Sequence, residues 1–261
     1  MAGVKKQQQH LSHLTFREIE KEIARLPALI LPLGGCEPYG ERGCLGAASA
    51  CAEALASALS EKLHLLCAPA LAFGCSTPYG AFGGTAGVKP RTMTNILCET
   101  IRQWYRQGFR TMVIVDSIYD NSEAVDLAVR RLRIDYPAMN VICFSLQRNE
   151  QVRAFIGQHF RKKEPGRAGS GILSMAAYID RALVRDSAEG ISQKAMPDAR
   201  GLMSWRKRGA DPDTYRRLFP DASDGMGGEY GADADFGREL FGFILQILVD
   251  AVTPFVTPHH Q

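Results

Sequence analysis

Short apolar runs alternate with amphipathic segments along most of the chain, and this alternation constrains the fold more than any other feature. The runs are ALILPL (residues 28–33), LLCAPAL (65–71), TMVIV (111–115) and VICF (141–144). Each is short, bounded by polar or turn residues, and reads as a buried strand. Between them, Ala47, Cys51, Ala54, Leu55, Ala58, Leu59 and Leu63 recur at three- and four-residue steps, which is one face of a helix. Ile96, Leu97, Ile101, Trp104 and Tyr105 mark a second helix closed by Gly108, and Val125, Ala128, Val129 and Leu132 a third. Ahead of the first strand, Thr15 and Glu18 have capping-box spacing with Leu14 and Ile19 at the staple positions, so a helix is expected from Phe16 towards Arg25. Strands separated by helices predict a three-layer α/β/α fold with a mostly parallel sheet and right-handed crossovers. Beyond residue 150 the pattern is looser. Val152, Phe155, Ile156 and Phe160 suggest a helix, as do residues 173–184, whereas residues 197–231 read as a polar loop region. Residues 240–256 are the most apolar stretch. Asp250 and Pro254 break it, and it is too short to span a bilayer, so it is expected to be a buried C-terminal helix.

Composition places bounds on function. The chain has 261 residues, is 46% hydrophobic, and carries a formal charge of +3. It is expected to form one domain over residues 1–261, with residues 1–13 flexible. The near-balanced charge gives no case for nucleic acid or a membrane surface, and the basic runs at 161–163 and 206–208 read as solvated faces. There are seven cysteines and no CxxC, and the start MAGVKKQQQHLSHL lacks a secretory apolar core. Reduced thiols in a cytoplasmic protein are the expectation.

Ligands of parallel sheets sit beyond the carboxyl ends of the strands. Three loops qualify: residues 34–46, 73–87 and 116–121. They hold Glu37, Tyr39, Cys36 and Cys44; then Cys75, Ser76 and Tyr79; then Asp116, Ser117, Tyr119 and Asp120. No histidine falls in any of them. His10, His13, His259 and His260 lie near the termini, His64 at a helix end and His159 on a surface helix. Without an imidazole, the cysteines and serines lack an obvious base, and packing or loop hydrogen bonding accounts for them better than nucleophilic chemistry does. Tyr39, Tyr79 and Tyr119 could line one pocket, with Glu37, Asp116 and Asp120 favouring a cationic or polar ligand, or they could simply fill space. The glycine cluster at 225–231 follows no strand and lacks nucleotide-loop spacing.

The order of these segments resembles the creatininase (creatinine amidohydrolase) family. Where the family has E-x-H-G-x-H-x-P-x-G-x-D, residues 37–48 read EPYGERGCLGAA. Where it has Y-G-x-S, a histidine three residues on and F-x-G-T, residues 73–85 read FGCSTPYGAFGGT. Where it has N-G-H-x-x-N at a strand end, residues 116–121 read DSIYDN. GMGGE at 225–229, followed by Gly237, is similar to the turn before the last helix. The resemblance implies a creatininase-like fold, oligomeric assembly of the hexameric kind, and two divalent metals, zinc or manganese, at the site. Carried over, Glu37 matches a ligand. Tyr39 replaces a histidine, Ala48 an aspartate and Ile118 the loop-three histidine, while Asp120 stands where some members have a ligating glutamate. The counterpart of a later H-A-G-x-x-E-T segment, residues 167–173, reads RAGSGIL and has no glutamate.

A divalent ion on nitrogen and oxygen ligands needs about three protein donors, and a bridged pair about five. Alanine and isoleucine donate nothing, and a phenol with pKa near 10 is a poor ligand. The expectation is a creatininase-family protein with a degenerate metal site and no retained cofactor. It would act in binding a small molecule or as the partner subunit of an active paralogue in a homo- or hetero-oligomer. Candidate catalytic residues are Glu37, Asp120 and Tyr39; candidate ligand-binding residues are Tyr79, Ser76, Asp116, Ser117, Tyr119 and Cys44. The alternatives are a hydrolase of cyclic amide C–N bonds with a relocated site, and a small-molecule sensor.

Overall fold

A computed structural model describes residues 9–160, 169–185, 211–218, 222 and 232–256. The basic runs at 161–163 and 206–208, most of the 197–231 region with its glycine cluster, and His259 and His260 lie outside the described residues.

Four parallel strands form the sheet: β1 (Ala28–Leu33), β2 (Leu66–Cys67), β3 (Thr111–Asp116) and β4 (Asn140–Ser145), in the order β2-β1-β3-β4. The helices are α1 (Phe16–Arg25), α2 (Ala47–Leu63), α3 (Pro90–Gln107), α4 (Ser122–Asp135), α5 (Glu150–His159), α6 (Gly169–Ile179), α7 (Pro212–Leu218) and α8 (Ala234–Val252). Alternation along each strand sorts side chains to two cores. Ile30, Val113 and Val115 pack with Leu55, Leu59, Ile156, Ile172, Leu240 and Ile244, on the side of α2, α5, α6 and α8. Leu29, Leu31, Leu33, Met112 and Ile114 pack with Met93, Leu97, Ile101, Val125 and Leu132, on the side of α3 and α4, where Ile19 and Ile23 of α1 also join. The three-layer α/β/α fold with a parallel sheet is therefore the observed one.

Local chemistry explains most of the boundaries. Thr15 caps α1 and Glu18 closes the reciprocal bond back to the Thr15 N–H, the expected capping box. Gly108 ends α3 at φ +113°, a left-handed turn that favours glycine. Two expected elements come out shorter. The run at 65–71 pairs as a strand only at Leu66 and Cys67, with a single further bridge from Leu71 to Leu33, because Pro69 has no N–H for the ladder. The helix expected over 173–184 starts earlier and stops at Ile179, where Asp180 accepts the Ala182 N–H and turns the chain into a 3₁₀ segment (Arg181–Leu183). The C-terminal helix also starts earlier than its apolar stretch, because the Asp233 side chain accepts the Phe236 N–H at its N-terminus. From Gln9, the chain lines the sheet edge, its carbonyl accepting the Cys67 N–H. No helix among the described residues is long and apolar enough to cross a membrane.

Candidate functional site

β1 leads out to β2 on one side, and β3 leads out to β4 on the other. The crevice between the ends of β1 and β3 is therefore the switch point of the sheet. Loop one (34–46) leaves β1 there, loop three (116–121) leaves β3, and loop two (73–87) closes over both.

Close backbone packing draws the loops together. A Cβ on Gly34 would fall 2.2 Å from the Ser49 hydroxyl oxygen, and one on Gly74 would meet the Gly34 carbonyl at 2.6 Å. The Ser49 hydroxyl accepts from the Gly35 N–H and donates to the Gly35 carbonyl, both at 3.0 Å, fixing loop one to the start of α2. Asn121 joins all three loops. Its Oδ1 accepts the Cys75 N–H at 2.8 Å, and its Nδ2 donates to the Gly34 carbonyl at 3.2 Å and to Asp116 Oδ1 at 2.9 Å. Spacing and composition did not single out Asn121, although it occupies the final asparagine of the N-G-H-x-x-N pattern.

Three of the candidate residues form one hydrogen-bonded group. Glu37, 6% exposed, accepts from the Tyr39 hydroxyl at 2.9 Å on one oxygen and from the Ser76 hydroxyl at 3.0 Å on the other. Burial, then the Glu37 charge and its hydrogen bond, hold the Tyr39 hydroxyl well above its ordinary value of 10, so it remains a neutral donor. Tyr79 is buried close enough to act electrostatically on Tyr39, and its ring meets Tyr215 of α7 edge-on at 5.1 Å. Phe82 completes this small aromatic cluster. Tyr215 comes from a distant segment with no recognisable motif, so nothing in the sequence pointed to it.

Asp116 and Ser117 are fully buried at the end of β3. Asp116 Oδ1 accepts the Ile118 N–H as well as Asn121. Burial raises the Asp116 carboxyl to about 7; the two donors oppose the rise and the Glu37 charge adds to it. The Ser117 hydroxyl donates to the Leu33 carbonyl at 3.3 Å, and its own carbonyl accepts from Gln147 at 2.8 Å.

The other candidates lie elsewhere. Tyr119 is 40% exposed on a 3₁₀ turn (Tyr119–Asn121), unlike the buried Tyr79. Asp120, on the same turn, acts electrostatically on Cys75, whose thiol is pushed up to about 12 by burial and then by Asp120, Asp116, Glu123 and Glu37. That environment opposes a thiolate. Cys44 sits on the rim, its thiol donating to the Ala182 carbonyl at 3.5 Å and its N–H to Leu183 at 2.9 Å.

Three of the positions compared with the family's metal ligands are apolar and buried. Ala48 and Ile118 are 0% exposed and Ile172 2%; all three belong to the α2–α6–α8 core, with Tyr39 packed against it. Among the described residues, no group of three or more His, Cys, Asp or Glu is placed to hold a metal ion.

Fold and loops together define a sheet-mouth α/β protein. A family model described as "Creatininase: Creatinine amidohydrolase" matches residues 12–252, and the chain belongs to that family. It is 29% identical over 133 residues to the creatinine amidohydrolase of Pseudomonas putida, covering 47% of this chain and 51% of that protein. It is 30% identical over 122 residues to the mycofactocin precursor peptide peptidase of Mycobacterium tuberculosis, covering 42% of this chain and 47% of that protein. These matches span about half the length of the curated relatives. A solved structure titled "Creatininase Mn" superposes with a TM-score of 0.72 at 21% identity, covering 96% of this chain and 99% of that chain.

Proposed function

We propose that this creatininase-family protein does not carry out two-metal amide hydrolysis, and that its sheet mouth binds a small polar or cationic molecule through Glu37. The observation that carries this reading is the burial of Ala48, Ile118 and Ile172 in one apolar core. Those positions offer neither lone pairs nor room for hydrated ions, and the Tyr39 hydroxyl that replaces an imidazole is a neutral donor spent on Glu37. Glu37 and Asp120 alone fall short of the donor set that a divalent pair requires. The residues present do not fit the family's metals.

What remains is a carboxylate held rigid by two hydroxyl donors, beside the aromatic surface of Tyr39 and Tyr79. Such a site can exchange a hydroxyl partner for a ligand N–H and orient it against a ring face. In this reading Glu37, Tyr39 and Ser76 contact the ligand, Tyr79 supports Tyr39, and Asp116, Ser117 and Asn121 hold the loops. Tyr119 and Asp120 lie on the rim, and Cys44 anchors loop one. Assembly with an active paralogue is compatible with the same reading.

The test pairs turnover with binding. Purified protein is assayed on creatinine and on a hydantoin as a second cyclic amide, with chelator and with added zinc or manganese. Creatinine and creatine are titrated in parallel by thermal shift. The expected result is no hydrolysis under any condition, and a ligand-induced rise in Tm that Glu37→Gln removes. Metal-dependent turnover abolished by Glu37→Gln would return the protein to the hydrolases.

A further inference from the structure

The ends of β3 and β4 carry a polar feature that the Glu37 group does not use. Asp116 and Ser145 are directly paired in the parallel register, so their side chains leave the same face of the sheet. That face is the α3–α4 side, shown by Met112, Ile114 and Val141 in the same alternation. Asp116 is 0% exposed. Its Oδ1 is engaged twice, whereas Oδ2, within the buried interior, has no hydrogen-bond partner among the described residues. The Ser145 hydroxyl oxygen on the neighbouring strand is also shielded from solvent without a partner among them. Two register-paired residues on one sheet face thus each carry a buried polar atom without a partner among the described residues, and such atoms call for a small polar species.

The charge around them indicates its sign. Asp120, Asp116, Glu123 and Glu37 all act on the buried Cys75 thiol, and Asp116 and Asp126 on Cys143. Among the described residues Arg148 acts on Asp116 as a cation, and its guanidinium is half exposed and already bonded to Asp126 at 2.9 Å. The carboxylates do not converge into a chelating group. They set a negative potential over the site without coordinating it. With Asp116 ionised, water would satisfy the hydrogen bonds but leave the charge excess; a small cation satisfies both. One carboxylate oxygen and one hydroxyl, with no imidazole or thiolate, form a hard donor set of single charge, too few donors and too little charge to hold a divalent ion.

We propose that Asp116 Oδ2 and Ser145 Oγ form a buried monovalent-cation site at the ends of β3 and β4, with water completing the shell. The site is separate from ligand binding at Glu37. It acts through Asp116 on Asn121, and so on the junction of the three loops. Thermal unfolding of the full chain at pH 8 tests it, with Na⁺, K⁺ and NH₄⁺ compared against tetramethylammonium at equal ionic strength. One of the small cations leaves Tm unchanged below its dissociation constant and raises it by about 2–5 °C per tenfold increase above it, and tetramethylammonium does not. Asp116→Asn removes the response, and Ser145→Ala shifts the concentration at which it begins several-fold upward. Should Asp116→Asn fail to fold, Ser145→Ala and a crystal soaked in thallium(I) decide: an anomalous peak between the two side chains is expected. Equal responses to all four cations, an unchanged onset concentration in Ser145→Ala, or density there that thallium does not replace would each overturn the site.

Discussion

The two sides of the sheet mouth have the same loop framework but opposite interiors. On the α2–α6–α8 side, Ala48, Ile118 and Ile172 are apolar core, and the nearby Glu37 accepts from two hydroxyl donors. On the α3–α4 side the same loops bury Asp116, Asn121 and Cys75 in a polar network with an unsatisfied carboxylate oxygen. Loop geometry and interior chemistry are therefore separable. Gly34, Gly74 and Asn121 fix where the loops run, and the residues between them decide whether a given face is packed, polar or charged.

The largest expected effect tests the shared framework. Asn121→Ala leaves the Cys75 N–H and the Gly34 carbonyl unpaired and removes a donor from Asp116, a loss of about 3–6 kcal/mol in stability by chemical denaturation. A loss under ~1 kcal/mol would mean that the loops are held elsewhere. Ile118 probes the apolar side. Ile118→Ala should cost about 2–5 kcal/mol as a buried cavity. Ile118→His should also destabilise, with no recovery on adding zinc; zinc-dependent recovery would show that a ligand cage still surrounds that position.

The smallest effect belongs to the polar side. The Asp116 carboxyl lies above its unfolded value, so the folded state binds more protons between pH 4 and 7. Its contribution is fully present below about pH 4 and is lost as pH rises to about 7. In tetramethylammonium buffer, Asp116→Asn should therefore gain on the parent protein by about 2–3 kcal/mol between pH 5 and pH 8. Urea midpoints at the two values measure this, and a gap that stays constant or narrows would contradict the buried-carboxylate picture.

Much of the fold is legible in residues 1–150, because strand runs, helix faces and the Thr15 capping box are local signals. The strand at 65–71 was overextended because its apolar content hides the effect of Pro69 on pairing. At the site, Glu37 and Ser76 were legible from motif positions, and the structure joins them directly. The three-tyrosine wall was read from equivalent loop positions, but the 3₁₀ turn leaves Tyr119 exposed while Tyr79 is buried. Tyr215 and the Asp116–Ser145 pairing are products of register and of contacts distant in sequence, which no local pattern encodes.

Metal content is the most direct measure of the contrast between the two sides. Protein purified without chelator and then dialysed is analysed by inductively coupled plasma mass spectrometry for zinc and manganese. Well under one ion per chain is predicted, unchanged in Glu37→Gln. Two ions per chain, lost in Glu37→Gln, would contradict the account.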